Sequence, residues 1–399
     1  MKTACIVYEG MADRPDESLQ QRTPMEAARC SVATQLAVTG QGGLLQTGRK
    51  DIARRSEAIL GGFLGFPDDV MAGVWRGPLE ALAADVDTAG AAWVFRADLI
   101  TLDGNRLVGA SVPGISLKET QELVESIRAA VADLQVRVEA IQPGTAIVIV
   151  EDAQVQDIHS VSPYEVEGDD LETAWSGYRR QKWVRRFVEA TRPIFADHPV
   201  NEVRVDLGEN PANALWPWGG GVPLVAGAGA SLRAFDGEVL VSNQMLARGF
   251  AKYAGIDSVD LADPWVEIDG KRPLFRIAGI VKALHDNDHL IMYVGSRYPG
   301  GRYGRSAEKV WAMECLDHMV LAPMHAVWDS MRPCRTVLAV ESAVLASSGR
   351  RAREPLPVIL AGDGVEPDGV GHWDEKCCAQ GSLGVLGFAE LMDLARREN

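Results

Sequence analysis

Short, almost uninterrupted apolar runs recur along this chain, and they constrain its fold more than any other feature of the sequence. Segments with a helical period separate these runs, which read ACIVY, EVLVS, HLIMYVG, RTVLAV and PLPVILAG. A strand with one face in water alternates apolar with polar residues, whereas a parallel strand covered by helices on both faces is apolar throughout. The pattern therefore predicts an α/β fold in which helices flank a mostly parallel sheet.

A different pattern, beginning at about residue 85, predicts a second domain inserted into the first. The segment AAWVFRADLITLDGNRLVG contains two alternating strands around an Asp-Gly turn, which is typical of a hairpin. A helical period follows over residues 116–134, and then come the strand-like segments VRVEAI and GTAIVIV. The basic amphipathic segment GYRRQKWVRRFVEATRPIFADHP would return the chain to the first domain. We expect a core domain of residues 1–84 and 190–399 and a smaller inserted α/β domain of residues 85–189.

Charge and composition narrow the possible partners. The formal net charge of -15 and the isoelectric point near 5.0 argue against nucleic-acid binding, which depends on clustered Lys and Arg. No stretch approaches the roughly 20 apolar residues of a membrane span, and the first apolar run is too short for a signal peptide. The six cysteines show no metal-binding spacing, and the adjacent Cys377 and Cys378 have no predicted role. We therefore expect a cytoplasmic protein with no nucleic-acid or membrane partner.

Two polar residues at the ends of predicted elements are candidates for chemistry. Glu9 follows the first apolar run, so a buried strand delivers its carboxylate to the edge of the sheet. Ser56 begins the segment SEAILGGFLGF, which is typical of a short apolar helix, and the N–H groups at a helix N-terminus favour a phosphate group. By comparison, Thr23 and Glu26 have the spacing of a capping box, which predicts only the start of a helix.

The order of the motifs along the chain resembles one known family. The motifs are EGMADRP, RTPMEAA, RRSEAILGGFLGF, FRADLIT, DHPVN, NPANALWPWGGG, YVGSRYPGGRYG and GSLGVLGFAELMDL. In this order, and over nearly the whole chain, they resemble the archaeal-type cofactor-independent (2,3-bisphosphoglycerate-independent) phosphoglycerate mutases of the alkaline phosphatase superfamily. The resemblance implies an alkaline-phosphatase-like core domain and a smaller inserted domain that closes over the substrate.

The resemblance also implies a mechanism. Members of the family use two divalent metals, usually manganese or zinc, to activate a serine that carries the phosphoryl group between the hydroxyls of glycerate. Two such cations make the attacking hydroxyl more acidic and neutralise charge on the transferring phosphoryl group. The resemblance places Ser56 at the nucleophile and Glu9 at the first metal-binding Asp.

At the other positions of the family's metal ligands, this sequence has residues that bind no metal. The loop after the YV strand has Tyr298 and Arg302, and the segment after VLAV has Ala343 and Val344. The family's last histidine falls near Arg351. Because two oxygen ligands do not make a dinuclear site, we expect a protein without a metal site or any other cofactor.

Arginines gather where the family has these ligands, and they are candidate binders of a small anionic substrate. They are Arg297, Arg302, Arg305 and Arg351. Arginine binds a phosphate or carboxylate through a planar fork of N–H groups and needs no coordination chemistry. Glu9 would then be an ion-pair partner or a general base.

The inserted domain contributes further candidates for substrate binding. Arg96 and Asp98 in FRADL lie where the resemblance implies binding of the substrate's phosphate or carboxylate. Trp218 stands where the family usually has an arginine. Together with Trp216, it favours a flatter or more apolar ligand than phosphoglycerate.

Simpler interpretations stay open for several of these residues. Ser56 could be a helix cap without a catalytic role, because serine is a favoured cap residue. The arginine-containing loop could be a solvated turn, and both tryptophans could be packing residues. The glycine-rich segment 219–231 lacks the G-x-G-x-x-G pattern of a dinucleotide-binding turn, so no dinucleotide site is expected.

Three functions are compatible with these patterns. The first is a metal-independent enzyme, like a phosphomutase or phosphotransferase, that transfers or isomerises a small phosphorylated or phosphonylated carboxylate in specialised metabolism. The second is a non-catalytic pseudoenzyme that binds an anionic ligand or a protein partner. The third is an active, metal-dependent phosphoglycerate mutase.

Overall fold

The structure is a computed structural model. In it the chain folds into two compact units. The residues that it describes are 1–46, 55–151, 161–174, 182–261, 277–295 and 306–397. The first unit consists of Met1–Ala72 and Gly227–Asn399, and the second of Gly73–Ala226. No helix in the described part of the chain combines the length and the apolar character that are needed to cross a bilayer.

Strands and helices alternate along most of the chain. The strands are β1 (Lys2–Tyr8), β2 (Gly40–Leu45), β3 (Trp93–Asp103), β4 (Arg106–Gly109), β5 (Val136–Gln142), β6 (Thr145–Val150), β7 (Ala214–Gly221), β8 (Glu238–Ser242), β9 (Asp257–Asp260), β10 (His289–Val294), β11 (Cys334–Val340), β12 (Leu356–Gly362) and β13 (Gly384–Leu386). The α-helices are α1 (Pro24–Ala27), α2 (Ser31–Val38), α3 (Ser56–Phe63), α4 (Asp68–Gly73), α5 (Arg76–Ala83), α6 (Leu117–Val131), α7 (Leu171–Ala174), α8 (Lys182–Ala196), α9 (Pro199–Asp206), α10 (Met245–Ala254), α11 (Ile277–Asp286), α12 (Ser306–Leu316), α13 (Ala322–Trp328), α14 (Glu375–Cys378) and α15 (Phe388–Arg396). A single π-helical turn, Asp317–Leu321, joins α12 to α13.

A large sheet forms the centre of the first unit. Its described strands lie in the order β13-β2-β12-β11-β1-β10-β8-β9. The strands from β11 to β9 run parallel to one another, whereas β12 is antiparallel to both of its neighbours. The predicted α/β fold with a mostly parallel sheet is therefore confirmed.

The apolar runs are buried as their composition predicts. Every residue of β11 is buried, and in β1 all residues after Lys2 are buried. Helix α2 packs on β12, α10 on β8 and α15 on β11. Because helices cover the strands, no residue of these runs needs to face water, and the sequences show no alternation.

The second unit contains an antiparallel sheet centred on β3. This strand pairs with β4, β6 and β7, and β6 pairs with β5. The predicted hairpin is present, since β3 and β4 pair antiparallel on either side of the turn at Gly104. Helix α6 begins at a capping box formed by Ser116 and Glu119. It packs on β5 and helps to cover a core that includes Phe95 and Trp216.

The second unit is wider than the expected inserted domain of residues 85–189. On its N-terminal side, α5 packs on β3. On its C-terminal side, β7 pairs with β3 from Val94 to Ile100. Helix α8 does not return the chain to the first unit directly, because α9 and β7 follow it within the second unit. These long-range pairings set the observed bounds of 73–226, and no local signal in the sequence marks them.

Helix α1 begins at the predicted capping box and is only one turn long. The Thr23 hydroxyl accepts the N–H of Glu26, and the N–H of Thr23 donates to the Glu26 carboxylate, so the capping box is confirmed. However, α1 ends at Ala27, and α2 begins separately at Ser31. The N–H groups at the start of α2 bind the carboxylate of Asp317, which also accepts the hydroxyl of Ser31. A cap so distant in sequence gives no local signal.

Substitution of Gly40 tests how tightly β2 packs against its neighbours. A Cβ atom added at Gly40 would lie 2.5 Å from the carbonyl oxygen of Leu360 and 2.8 Å from that of Leu36. We expect Gly40→Ala to lower the free energy of unfolding by about 1–3 kcal/mol, because backbone atoms cannot move aside as a side chain can. Thermal and urea unfolding followed by circular dichroism would measure the loss.

The matched control for this variant is Gly371→Ala. A Cβ atom at Gly371 meets nothing within 4 Å. We expect this control to stay within about 0.5 kcal/mol of the wild type. Equal stability of the two variants would show that β2 does not pack as described.

Candidate active site

The candidate site lies at the carboxyl ends of neighbouring parallel strands. Tyr8 at the end of β1 is level with Val340 at the end of β11. The N–H of Glu341 donates to the carbonyl of Tyr8 at 2.8 Å, so Glu341 and Glu9 leave the sheet side by side. Both glutamates are buried, with 0% and 5% of their surfaces exposed. Two carboxylates therefore lie close together in the first unit.

Ser56 lies in the first turn of α3, where its hydroxyl is almost fully buried. The N-cap position belongs to Arg55, whose backbone is extended and whose side chain makes no capping hydrogen bond. Ser56 is the first helical residue, and only 3% of its surface is exposed. The alternative that Ser56 merely caps the helix is therefore wrong, and its hydroxyl is available for another contact.

Arg351 joins the serine to the two glutamates. Its Nη2 donates to Ser56 Oγ at 2.6 Å, and its Nη1 donates to Glu341 Oε1 at 3.0 Å. Glu9 Oε1 lies 3.6 Å from the same Nη2 atom. Glu9, Ser56, Glu341 and Arg351 therefore form one cluster, which we call the Arg351 cluster.

A folded-back loop positions Arg351. Val344 and Arg351 form an antiparallel bridge, and the N–H of Ala352 donates to the carbonyl of Ala343 at 2.8 Å. Ala12, three residues beyond Glu9, forms a parallel bridge with Ala343 on the same loop. The segment from 341 to 352 therefore starts and ends at the same edge of the sheet, and this brings Arg351 to Glu341.

The Arg351 cluster carries more negative than positive charge. Two carboxylates surround one guanidinium, and the second oxygen of Glu341 accepts a short hydrogen bond from the Ser342 hydroxyl. Buried ions are stable only when they are paired and hydrogen-bonded, and this pairing meets that condition.

The second unit contains a separate buried cluster around Arg96. Its Nη1 donates to both oxygens of Glu80, at 2.8 and 2.6 Å. Its Nε and Nη2 donate to Asp98, and Nη2 also reaches Thr145 at 3.2 Å. These contacts use all the N–H groups of a guanidinium. Contact between Arg96 and a substrate would therefore require this network to open.

Trp218 and Arg76 complete the cluster around Arg96. The indole N–H of Trp218 donates to Asp98 at 2.6 Å, and Arg76 donates to Glu80 at 2.7 Å. Both guanidiniums lie within 5.5 Å of the Trp218 ring centre, in the range of a cation–π contact. Two arginines and two carboxylates balance in charge, so the geometry is that of a closed structural network.

The charge of Glu80 depends on these two arginines. Burial on its own would raise the pKa of the carboxyl group, but Arg96 and Arg76 outweigh it and lower the pKa of Glu80 below its ordinary value of 4.5. Glu80 therefore stays ionised although none of its surface is exposed.

Several predicted site residues fall outside the described part of the chain. They are Arg297, Tyr298, Arg302 and Arg305. Their role in binding an anion stays a prediction. Ala343 and Val344 are described, and both are buried apolar residues beside the Arg351 cluster.

Sequence reasoning missed Glu341, although a signal for it was present. Glu341 follows the apolar run RTVLAV directly, just as Glu9 follows ACIVY. An acidic residue immediately after a buried strand is the same pattern in both places. The expected family pattern drew attention to positions 343 and 344 instead.

The described residues do not by themselves form a metal site. Among them, no group of three His, Cys, Asp or Glu side chains is placed to hold a metal ion. The oxygen atoms of Glu9, Ser56 and Glu341, which could ligate a cation, surround the Arg351 guanidinium in this arrangement.

Comparisons with known proteins agree with the family resemblance. Residues 37–201 match the family model for 2,3-bisphosphoglycerate-independent phosphoglycerate mutase. Over 401 residues, and 99% of each protein, the chain is 25% identical to the 2,3-bisphosphoglycerate-independent phosphoglycerate mutase of Methanosarcina acetivorans. It is 26% identical over 399 residues to 2,3-bisphosphoglycerate-independent phosphoglycerate mutase 2 of Methanothermobacter thermautotrophicus, covering 99% of this chain and 97% of that relative.

Solved structures show the same fold. The PH0037 protein from Pyrococcus horikoshii superposes with a TM-score of 0.71 at 19% identity, covering 100% of this chain and 98% of that one. The cofactor-independent phosphoglycerate mutase from Thermoplasma acidophilum superposes with a TM-score of 0.50 at 22% identity, covering 99% and 98%. The mixed α/β architecture with a large, mainly parallel sheet is common to them.

The expectation of a protein without a metal cofactor is wrong. The full-length relatives are 2,3-bisphosphoglycerate-independent phosphoglycerate mutases, the class for which the resemblance implies two divalent metals. The replaced positions in the sequence were the only reason for that expectation, and the comparisons give no support for a lost metal site.

The lowered pKa of Glu80 predicts a pH-dependent contribution to stability. A carboxyl group with a lowered pKa stabilises the folded state above its ordinary pKa, and this stabilisation is lost as the pH falls through the folded-state pKa. We expect Glu80→Gln to be less stable than the wild type at pH 7, by about 3 kcal/mol, because the variant leaves two buried arginines poorly paired.

The difference in stability between wild type and Glu80→Gln should therefore shrink below about pH 4.5. Urea unfolding of both proteins between pH 7 and pH 3.5 would measure it, with the exposed Glu366→Gln as the matched control. A difference that stays constant over this range would contradict the charge pairing around Glu80.

Proposed function

From the resemblance of this chain, along its whole length, to the 2,3-bisphosphoglycerate-independent phosphoglycerate mutases, we propose that it is a phosphoryl-transfer enzyme of the mutase type. In this proposal Ser56 receives the phosphoryl group of a small phosphorylated carboxylate and returns it to a different hydroxyl. The contact between Ser56 Oγ and Arg351 Nη2, at 2.6 Å beside two strand-end carboxylates, is the observation that carries the proposal.

Phosphoryl transfer through Ser56 proceeds in two balanced steps. In the first, a bond forms between Ser56 Oγ and phosphorus while the bond between phosphorus and the substrate oxygen breaks. The serine proton passes to a base, and a proton is returned to the leaving oxygen. In the second step, a different hydroxyl of the bound intermediate forms a bond to phosphorus while the bond between phosphorus and Ser56 Oγ breaks. The proton of that hydroxyl passes to the base, and Ser56 Oγ takes up a proton and is regenerated. No oxidant or reductant is needed.

Arg351 supports both steps by its position. A guanidinium that donates to Ser56 Oγ stabilises the negative charge that develops on this oxygen as it attacks. Once Ser56 carries the phosphoryl group, the same N–H groups can bind phosphoryl oxygens, and charge-assisted hydrogen bonds of this kind are strong. The first turn of α3 adds backbone N–H groups and the positive end of the helix dipole.

Glu9 is the candidate base. Its carboxylate lies 3.6 Å from the nitrogen that donates to Ser56, so Glu9 and Ser56 flank the same guanidinium atom. A carboxylate at this place could accept the serine proton in the first step and donate it to the leaving oxygen. Glu9 is 5% exposed, which keeps bulk water away from this exchange.

Further positive charge is needed to admit the substrate, because the Arg351 cluster is net negative. In this proposal Arg297, Arg302 and Arg305 bind the anionic groups of the substrate, in accordance with their place in the sequence. The proposal gives no direct substrate contact to Arg96, Asp98 or Trp218, because their polar groups already bind one another.

A second candidate function is a non-catalytic protein that binds an anion. The observation in its favour is that Arg351 already contacts Ser56, Glu9 and Glu341, so groups of the protein itself bind the guanidinium. A purely structural ion-pair cluster would have these contacts too. Turnover and covalent phosphorylation distinguish the two functions.

The variant Ser56→Ala tests the proposal directly. The probe is 3-phosphoglycerate, incubated with the full chain in the presence of manganese and, separately, with a chelator. Formation of 2-phosphoglycerate is followed by coupled assay, and phosphorylation of the peptide that contains Ser56 is followed by mass spectrometry. We expect the variant to lose at least about a thousandfold in rate, as removal of a nucleophile does.

The exposed Ser330→Ala is the matched control and should keep the rate of the wild type. If the wild type turns over the probe and Ser56→Ala does so equally well, the assigned nucleophile is wrong. If the wild type gives neither product nor phosphoserine under both conditions, the non-catalytic function is favoured over the proposed one.

A further inference from the structure

Glu341 is the more deeply buried of the two glutamates in the Arg351 cluster, and both of its carboxylate oxygens accept hydrogen bonds. None of its surface is exposed. Its Oε1 accepts Arg351 Nη1 at 3.0 Å, and its Oε2 accepts the hydroxyl of Ser342. Its backbone N–H donates to the carbonyl of Tyr8. Glu341 is therefore held in place by the sheet, by its neighbour and by the arginine.

The contact of Arg351 with Glu341 determines the direction of its contact with Ser56. A guanidinium is planar and rigid, so holding one of its terminal nitrogens fixes the direction of the other. With Nη1 held by Glu341, Nη2 points to Ser56 Oγ at 2.6 Å. Loss of Glu341 would remove the contact that holds Nη1, and the direction of Nη2 toward Ser56 Oγ would then be less closely defined.

Glu9 does not hold the arginine in the same way. Its carboxylate oxygen lies 3.6 Å from Nη2, beyond ordinary hydrogen-bond distance, whereas Glu341 lies at 3.0 Å from Nη1. The two strand-end carboxylates therefore have different geometries toward the same cation. Of the two strand-end carboxylates, Glu341 is therefore the one that hydrogen-bonds the guanidinium and can fix its direction.

We infer that Glu341 is a positioning residue, which holds Arg351 in the orientation that directs Nη2 to Ser56 Oγ. The inference rests on the proposed function, because it explains how the nucleophile acquires its cationic partner. Glu341 touches neither the substrate nor the reacting atoms in this account. It acts only through Arg351, and the Ser342 hydroxyl in turn orients Glu341.

A double-mutant cycle tests whether Glu341 acts through Arg351. The variants are Glu341→Gln, Arg351→Met and the double variant, assayed for phosphorylation of Ser56 and for conversion of 3-phosphoglycerate. We expect Glu341→Gln to slow Ser56 phosphorylation about 10–100-fold, as loss of an orienting partner commonly does. Arg351→Met should slow it at least as much, and the double variant should be no slower than Arg351→Met alone.

The cycle separates positioning from a general structural role. If Glu341 merely stabilises the fold, its effect persists when Arg351 is absent, and the two effects multiply in the double variant. Such additivity, or a wild-type rate in Glu341→Gln, would overturn the inference. Glu341→Asp keeps the charge on a shorter side chain and should recover part of the lost rate. The exposed Glu366→Gln is the matched control and should have no effect.

Two further measurements distinguish a loss of function from a loss of folding, and the role of Glu341 from the proposed function. Circular dichroism reports whether each variant is folded. If Arg351→Met does not fold, Arg351→Lys takes its place in the cycle. A lysine ammonium cannot bridge Glu341 and Ser56 as the planar guanidinium does. Ser56→Ala is assayed alongside. If Ser56→Ala reacts at the wild-type rate, both the proposed function and this inference are overturned. If Ser56→Ala loses activity but the effects of Glu341→Gln and Arg351→Met multiply in the double variant, only the role of Glu341 is overturned.

Discussion

The parallel alignment of β1 with its two neighbours is the constraint on which the candidate site depends. Tyr8 is level with Val294 of β10 on one side and with Val340 of β11 on the other. Parallel strands that end at the same level bring together whatever residues follow them. Residues 9 and 341 therefore meet although 332 positions separate them in the sequence (341 − 9). The loop that follows β11 then returns Arg351 to the same edge, where it contacts the first turn of α3.

The two buried arginine clusters show how similar contacts can serve different purposes. Around Arg96, every N–H group has a partner within the protein, and two cations balance two carboxylates. Such a network is already satisfied and resists the entry of a ligand. Around Arg351, one partner is a serine hydroxyl, which is a weaker acceptor than a carboxylate, and the charges do not balance. The proposed phosphoryl transfer depends on the contact between Arg351 and the Ser56 hydroxyl, whereas Arg96 holds elements of its own sheet together.

Local sequence patterns predicted the elements better than the contacts between them. The apolar runs indicated the parallel sheet because burial on both faces removes polar residues from a strand, and Thr23 indicated the start of α1 because a capping box is a local interaction. The hydrogen-bond network around Arg96 depends on Glu80, which lies on another element. The separate start of α2 at Ser31 depends on the carboxylate of Asp317. The bounds of the second unit depend on β7, far along the chain. Long-range partners of this kind leave no trace in the residues beside them.

The charge of the Arg351 cluster also explains why replaced residues in a sequence say little about the need for a cofactor. Within the Arg351 cluster, two carboxylates face one guanidinium, so these residues by themselves have an excess of negative charge. This excess has to be offset before an anion can bind, and a bound divalent cation or additional arginines can each supply the positive charge. A substituted ligand position changes which groups can supply that charge. Substitutions at individual ligand positions are therefore no evidence that such a site has lost its cofactor.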